Sequence, residues 1–369
     1  MNTELTQRLT RQYERTLPFV AYHKPGADTV KFLMQDNNAL HTTTNYEEQG
    51  FVMTPYARNK GGILISGIPE NLPIDISNSK NEISAKNLPL DRAKEDYEYK
   101  VSQAIARINS GGLKKVVLSR KRKMPVALSP ITLFERLVIT YPDAFTYIWY
   151  HPKQGLWLGA TPETLLSVNG LRFKTMGLAA TQKYLENKPV IWGSKEQEEQ
   201  QLVVETIREQ LEELKLLDLK IKDRETVRAG NLLHLKTEIS GRINSPKELP
   251  ELLSALHPTP AVCGLPRDQA AEFIQKNEGY DRGFYTGFLG ELNLPQSDRG
   301  RRKGRNIENQ AYTQFNKTSD LYVNLRCMRY TGKSVEVYVG GGITSGSDPA
   351  KEWDETVNKM QIMLSILGE

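Results

Sequence analysis

Cysteine is nearly absent from this chain of 369 residues: Cys263 and Cys327 are the only two, too few and too far apart for a disulfide framework or a zinc site. Each is expected to pack as a small apolar side chain. Long apolar runs are missing as well. Nothing approaches the roughly 20 consecutive apolar residues of a membrane span, and Met1-Asn2-Thr3-Glu4-Leu5 leads into polar sequence without the apolar centre of a secretory signal. A soluble, cytoplasmic protein with no membrane partner is the expectation. No phosphate-binding glycine pattern of the Rossmann or P-loop kind follows a strand-like run, so nucleotide chemistry is unsupported, and no internal repeat is evident.

Excess charge is small and local. Of the net +5, residues 294–320 contribute +3, from Arg299, Arg301, Arg302, Lys303, Arg305 and Lys317 set against Asp298, Glu308 and Asp320. With few aromatic side chains for bases to stack on, this basic insert reads as a solvated loop, and nucleic acid is not an expected partner.

What the chain does have is acid pairs on helices. Ser347-Asp348-Pro349 opens a C-terminal helix, with Asp348 as N-cap and Pro349 at the first helical position. At about 100° per residue, Glu352, Glu355 and Lys359 fall within about 60° of one another, while Trp353, Val357, Met360, Leu364 and Leu367 form a separate apolar stripe. A solvated helix face carrying a Glu355–Lys359 pair would explain this spacing too. A second helix, from Ser194 to about Leu217, has core positions Val203, Ile207, Leu211 and Leu214. Stepping back by four and then three residues reaches Glu199 and Glu196, which continue the apolar stripe. Ser194 and Gln197 suggest a capping box. Acids in a first turn offset the helix dipole, yet dipole compensation gives no reason to turn them inward, where unpaired carboxylates are costly. Two inward acid pairs invite a shared cation, and without Cys or His clusters the first choice is an oxygen-preferring ion such as Mg2+.

Strand-like runs at Thr29–Met34 and Gly62–Ile65 mark a supporting N-terminal region, residues 1–94. A helix near Leu90–Asn109 and a strand Lys114–Arg120 open the remainder, 95–369. Then come a helix near Ile131–Tyr141, strands near Phe145–Tyr150, Gly155–Gly159 and Leu165–Val168, the Glu199 helix, and strands Phe284–Leu292, Leu321–Arg326 and Ser334–Val339, with a Gly340-Gly341-Gly342 turn before the last helix. Strands joined by short turns imply an α+β fold: two largely antiparallel sheets packed together, helices outside, the two regions forming one compact domain.

Six motifs then fall into a known order and spacing: Lys115-Val116-Val117-Leu118-Ser119-Arg120, Gly159-Ala160-Thr161-Pro162-Glu163, His257-Pro258-Thr259-Pro260-Ala261, Asp281-Arg282-Gly283-Phe284-Tyr285-Thr286-Gly287, Leu325-Arg326-Cys327 and Gly340-Gly341-Gly342-Ile343. Over about residues 95–369 the chain resembles the chorismate-utilising enzymes, and within them the isochorismate synthases. The resemblance implies one active site between two antiparallel sheets and Mg2+ held by glutamates. Lys115 stands where ammonia-using relatives typically have glutamine, and lysine at this position goes with water as nucleophile. Ala179, in Gly177-Leu178-Ala179-Ala180-Thr181, stands where aminodeoxychorismate synthase carries a nucleophilic lysine, so covalent attack there is excluded.

The implied reaction adds water to C2 of chorismate as the C4 hydroxyl leaves. Lys115 would be the base, its pKa lowered by burial or by a cation such as Lys114, Arg120 or the metal, and Glu163 the acid, kept protonated by burial. Mg2+ on Glu199 and Glu355, supported by Glu196 and Glu352, would hold the ring carboxylate. Arg326 and the Gly340, Gly341 and Gly342 backbone would take the enolpyruvyl carboxylate, with Lys359 neutralising excess charge and Ala179 and Thr181 bordering the substrate. His234 matches a family histidine near the ring, and a satisfied core histidine is an equal alternative. Two departures from the family pattern are Gln200, where histidine is usual, and the length of the 294–320 insert. A salicylate synthase, which eliminates pyruvate from the same intermediate, and a non-catalytic anion-binding scaffold are the rival readings. The first step is common to menaquinone and siderophore synthesis. Water as nucleophile needs no glutaminase subunit, and a monomer is expected.

Overall fold

The computed structural model describes residues 3–74, 93–186, 189–229, 232–296 and 317–368. Two antiparallel sheets lie face to face. In the first, nine strands run in the order Gly264–Leu265, Lys115–Pro125, Ser334–Ile343, Cys327–Tyr330, Gly155–Thr161, Phe145–His151, Phe19–His23, Thr29–Met34 and Glu70–Pro73. In the second the order is Leu217–Ile221, Leu232–Arg242, Arg172–Lys183, Thr164–Asn169, Lys317–Val323, Phe288–Pro295, Gly50–Thr54, Gly62–Ser66 and His41–Thr43, with Glu225–Ala229 also paired to Leu232–Arg242. The expected α+β architecture is therefore present. The first 74 residues supply outer strands to one end of both sheets, and the motif-bearing strands occupy the other.

Alternation along each strand builds the layers. Phe19 and Ala21 face the helices over the first sheet, with Leu133, Phe134, Leu137, Met360 and Met363. Val20 and Tyr22 face the second sheet instead, in a layer with Phe51, Phe145, Trp149 and Tyr322. Phe145 and Tyr322 stack there at 4.1 Å between ring centroids. The outer face of the second sheet buries Val203, Ile207 and Leu211 from the helix Ser194–Glu213, the stripe read from the sequence.

Several local expectations are corrected. Gly340, Gly341 and Gly342 form no turn: they pair in register with Ser119, Leu118 and Val117 inside the strand Ser334–Ile343. No capping box forms at Ser194, because Gly193 is the N-cap and Gln197 Nε2 donates to the Trp192 carbonyl. That helix ends at Glu213, and Leu217–Ile221 is a strand. Phe284 lies ahead of its strand, Phe288–Pro295, and Arg326 beyond its own, Lys317–Val323, at φ +46°. The C-terminal helix, Pro349–Leu364, starts as expected, with the Asp348 side chain accepting from the Lys351 N–H. Of the basic insert, residues 297–316 lie outside the described residues, as do the first residues, before 93, of the helix expected near Leu90–Asn109, which is Lys94–Asn109.

Candidate active site

Lys115 begins a strand whose side chains at 115, 117 and 119 share a face. It is 1% exposed, and its Nζ donates to Glu199 Oε1 at 2.8 Å. The cations expected to flank it do not: Lys114 is exposed, and Arg120, on the opposite face, lies over the Trp353 ring with its Nε on Thr356 Oγ1. Room for the lysine comes from the neighbouring strand. A Cβ on Gly342 would stand 2.9 Å from Glu199 Oε1 and 3.0 Å from Lys115 Cε, and one on Gly341 would stand 3.4 Å from Glu352 Oε2. The run of glycines is thus explained by what lies against it.

Glu163 sits where the chain leaves the first sheet, after Gly155–Thr161, and enters the second at Thr164–Asn169. Its carbonyl accepts from the Val323 N–H at 2.9 Å, and its own N–H donates to Thr161 Oγ1 at 3.3 Å. Only 3% exposed, its carboxyl is pushed up to about 8 by desolvation, against the opposing pull of Lys115 and Arg326. At neutral pH it carries a proton, as a general acid must.

Across the cavity, the strand Arg172–Lys183 bulges between Ala179 and Thr181, with Ala180 at φ +59°. The bulge turns the Ala180 carbonyl toward His234 Nδ1, 3.0 Å away, and Thr181 Oγ1 lies 3.3 Å from the same nitrogen. Arg326 Nη2 donates to His234 Nε2 at 3.1 Å. These contacts place the ring proton on Nδ1. Burial and the Arg326 charge push His234 down to about 3, so the ring is neutral, and burial lowers Arg326 to about 10. His234 is therefore an orienting partner of Arg326, more than a passive core residue.

Every residue given a catalytic, metal-holding or substrate-binding role from the sequence lines this one cavity except Gly341, which sits behind its neighbours. The acids come from the starts of two helices, Glu196 and Glu199 from one, Glu352 and Glu355 from the other. Glu355 Oε1 pairs with Lys359 Nζ at 2.6 Å, and Lys359 also donates to the Gly340 carbonyl at 3.1 Å. With Glu199 on Lys115 and Glu355 on Lys359, no three acids or imidazoles among the described residues gather at one point. The donor set is nonetheless all carboxylate oxygen around a shared cavity, the chemistry that suits a hard cation completing its shell with water and an anionic ligand. Tyr285 and Thr286 also line the cavity and were not singled out as site residues. The signal was their place in the Asp281–Gly287 motif.

A family model described as chorismate binding enzyme matches residues 70–297, and a second of the same description matches 310–365. The chain is 32% identical over 282 residues to the salicylate biosynthesis isochorismate synthase of Pseudomonas aeruginosa, covering 74% of this chain and 54%, about half, of that protein. It is 30% identical over 294 residues to the isochorismate synthase DhbC of Bacillus subtilis, covering 74% and 68%. The solved structure of MenF, the menaquinone-specific isochorismate synthase of Escherichia coli, superposes with a TM-score of 0.75 over 95% of this chain and 89% of that one, at 22% identity, a likeness of fold.

Proposed function

Because the chain belongs to the chorismate-binding enzymes, we propose that it is an isochorismate synthase, interconverting chorismate and isochorismate in an Mg2+-dependent reaction. The observation that carries this reading is the pairing, in one cavity, of a buried lysine with a buried glutamic acid whose proton is retained to about pH 8. A relative named as an isochorismate synthase, 30% identical and covered over 68% of its length, supports it.

The donor set described above fits Mg2+, with Glu199 and Glu355 as its holders and Glu196 and Glu352 in support. When bound, the ion supplies positive charge to a substrate carboxylate. The chain's own residues do the rest. Lys115 Nζ takes a proton from water as its oxygen bonds to C2. The ring double bonds shift, the C4–O bond breaks, and Glu163 gives its proton to the departing oxygen, which leaves as water. Return of the proton from Lys115 to Glu163 restores both groups, and the reverse reaction uses them with roles exchanged. Arg326, fixed by His234, binds the enolpyruvyl carboxylate. Ala179 offers no nucleophile, so the route is direct. The reaction needs one chain in the cytoplasm, with no ammonia-delivering subunit.

The test is incubation of the purified protein with chorismate and Mg2+, followed by chromatography. A mixture of chorismate and isochorismate, reached from either side, supports the proposal. Salicylate with pyruvate would replace it with a salicylate synthase, and binding without turnover with a scaffold.

A further inference from the structure

The Lys115 strand has an incomplete outer edge. Its inner edge pairs with Ser334–Ile343 from Val116 to Pro125, but its outer partner, Gly264–Leu265, is two residues long. The last backbone bond of that pairing is Val117 N–H to the Cys263 carbonyl, at 2.8 Å. Beyond it, the Val117 carbonyl and the Ser119 N–H point outward, and buried backbone groups left unbonded would be costly. Side chains meet them. Arg282 Nη2 donates to the Val117 carbonyl at 2.7 Å, and Glu278 Oε1 accepts from the Ser119 N–H at 2.7 Å and from its hydroxyl at 2.8 Å. A donor followed by an acceptor is the sequence of groups that a continuing strand would present.

Both side chains are buried, Arg282 at 2% and Glu278 at 4% exposure. All five guanidinium N–H groups are used: Nε and Nη2 on Glu278, Nη2 on Val117, and Nη1 on the Val262 carbonyl at 2.9 Å and Thr286 Oγ1 at 3.2 Å. Val117, Val262 and Thr286 each line the active-site cavity. One ion pair thus ties two walls of the cavity, at Val262 and Thr286, to the strand that carries Lys115.

We propose that the Glu278–Arg282 pair is a surrogate strand, and that both are positioning residues which hold Lys115 and the Tyr285–Thr286 turn in register for water addition. This rests on the functional reading above. A buried pair of this kind is poor stabilisation compared with apolar packing, so its value lies in geometry: five bonds in fixed directions, which three lysine donors cannot reproduce.

The test compares kcat and KM for isochorismate formation in Arg282→Lys and in the double variant Glu278→Gln/Arg282→Met, which leaves no lone buried charge. Misplacing a catalytic group by about 1 Å costs on the order of 100-fold in rate. Expected is a double variant that melts cooperatively, with kcat down by that order and KM within about threefold, because the carboxylate-binding groups are untouched. Arg282→Lys, which keeps the charge, is expected to lose at least about tenfold in kcat. A folded double variant with kcat near wild type overturns the proposal, as does a fall carried by KM alone. If the double variant does not fold, Arg282→Lys decides, and full kcat in it overturns the proposal. Turnover by the wild-type protein is the separate check on the functional reading: its absence sinks that reading, whereas wild-type turnover with unaffected variants sinks only this one.

Discussion

Lys115 Nζ and Glu199 Oε1, 84 positions apart in sequence, meet at 2.8 Å inside the cavity. The lysine is paired with a carboxylate and is flanked by neither Lys114 nor Arg120, so its work as a base depends on Glu199 having another charge to answer. Lys115→Gln keeps a hydrogen-bond donor toward Glu199 and removes the base. Turnover is expected to fall by about 100- to 10,000-fold, the usual share of general base catalysis, while chorismate binding by calorimetry stays within a few-fold. Near-normal turnover would remove Lys115 from this role.

The same meeting point makes Gly342→Ala informative. The new methyl would come within 2.9 Å of Glu199 Oε1 and 3.0 Å of Lys115 Cε. One or both must shift, and a displaced base costs on the order of 100-fold in kcat. Thermal stability should change little, because the methyl meets the far ends of two flexible side chains and no backbone. Gly341→Ala, whose methyl would meet Glu352 Oε2 and Tyr97 Oη at 3.4 and 3.5 Å, should be the milder change.

Much of this site was legible because helical faces are local objects. Stepping back from Val203 by helical spacing reached Glu199 and Glu196 without tertiary information, and Asp348-Pro349 fixed the phase of Glu352 and Glu355. The Gly340–Gly342 run was misread because glycine favours turns on local grounds, whereas here its reason is a lysine and a glutamate contributed by other segments. The bulge at Ala180 left no comparable mark, since it is defined by pairing with Leu235 and His234. The Ser194 cap was misplaced by one residue: Ser194 and Gln197 have capping chemistry, but the helix starts after Gly193.

On the proposed Mg2+-dependent route a chelator should abolish turnover, and a readout independent of activity is available. Mg2+ binding to the folded state alone raises the melting temperature by mass action. In wild type, an ion shares Glu199 with the Lys115 Nζ at 2.8 Å, a group able to carry a competing positive charge, whereas in Lys115→Gln it shares that carboxylate only with a neutral amide. The Mg2+-induced shift is expected to be larger in the variant, measured by melting with Mg2+ and with a chelator. Equal absence of any shift in both proteins would remove Glu199 from the metal site.

His234 is held neutral, at about 3, by burial and the Arg326 charge. It should therefore leave no limb in the pH dependence between about 5 and 8, where an unperturbed histidine titrates. His234→Phe takes away the acceptor that orients Arg326. A lost hydrogen bond to a charged group costs about 1.5–3 kcal/mol, so KM is expected to rise roughly tenfold or more while kcat changes less. A kcat loss with unchanged KM would instead place His234 in the chemistry.

Glu163 joins activity to stability through a single proton. Its carboxyl is raised from 4.5 to about 8 in the folded protein, so between those values the folded state holds a proton that the unfolded state has released. Stability attributable to Glu163 is thus complete below about 4.5 and declines as pH rises, by about 1.4 kcal/mol per unit, until it is lost above about 8. Isochorismate formation from chorismate, which needs the protonated acid, should fall over the upper end of the same range. Glu163→Gln has no proton to lose. It is expected to be inactive throughout, yet to melt with a weaker pH dependence than wild type from pH 5 to 8 and to gain on it most at the alkaline end. Parallel melting curves for the two proteins would show that the folded-state carboxyl titrates normally and is not the acid.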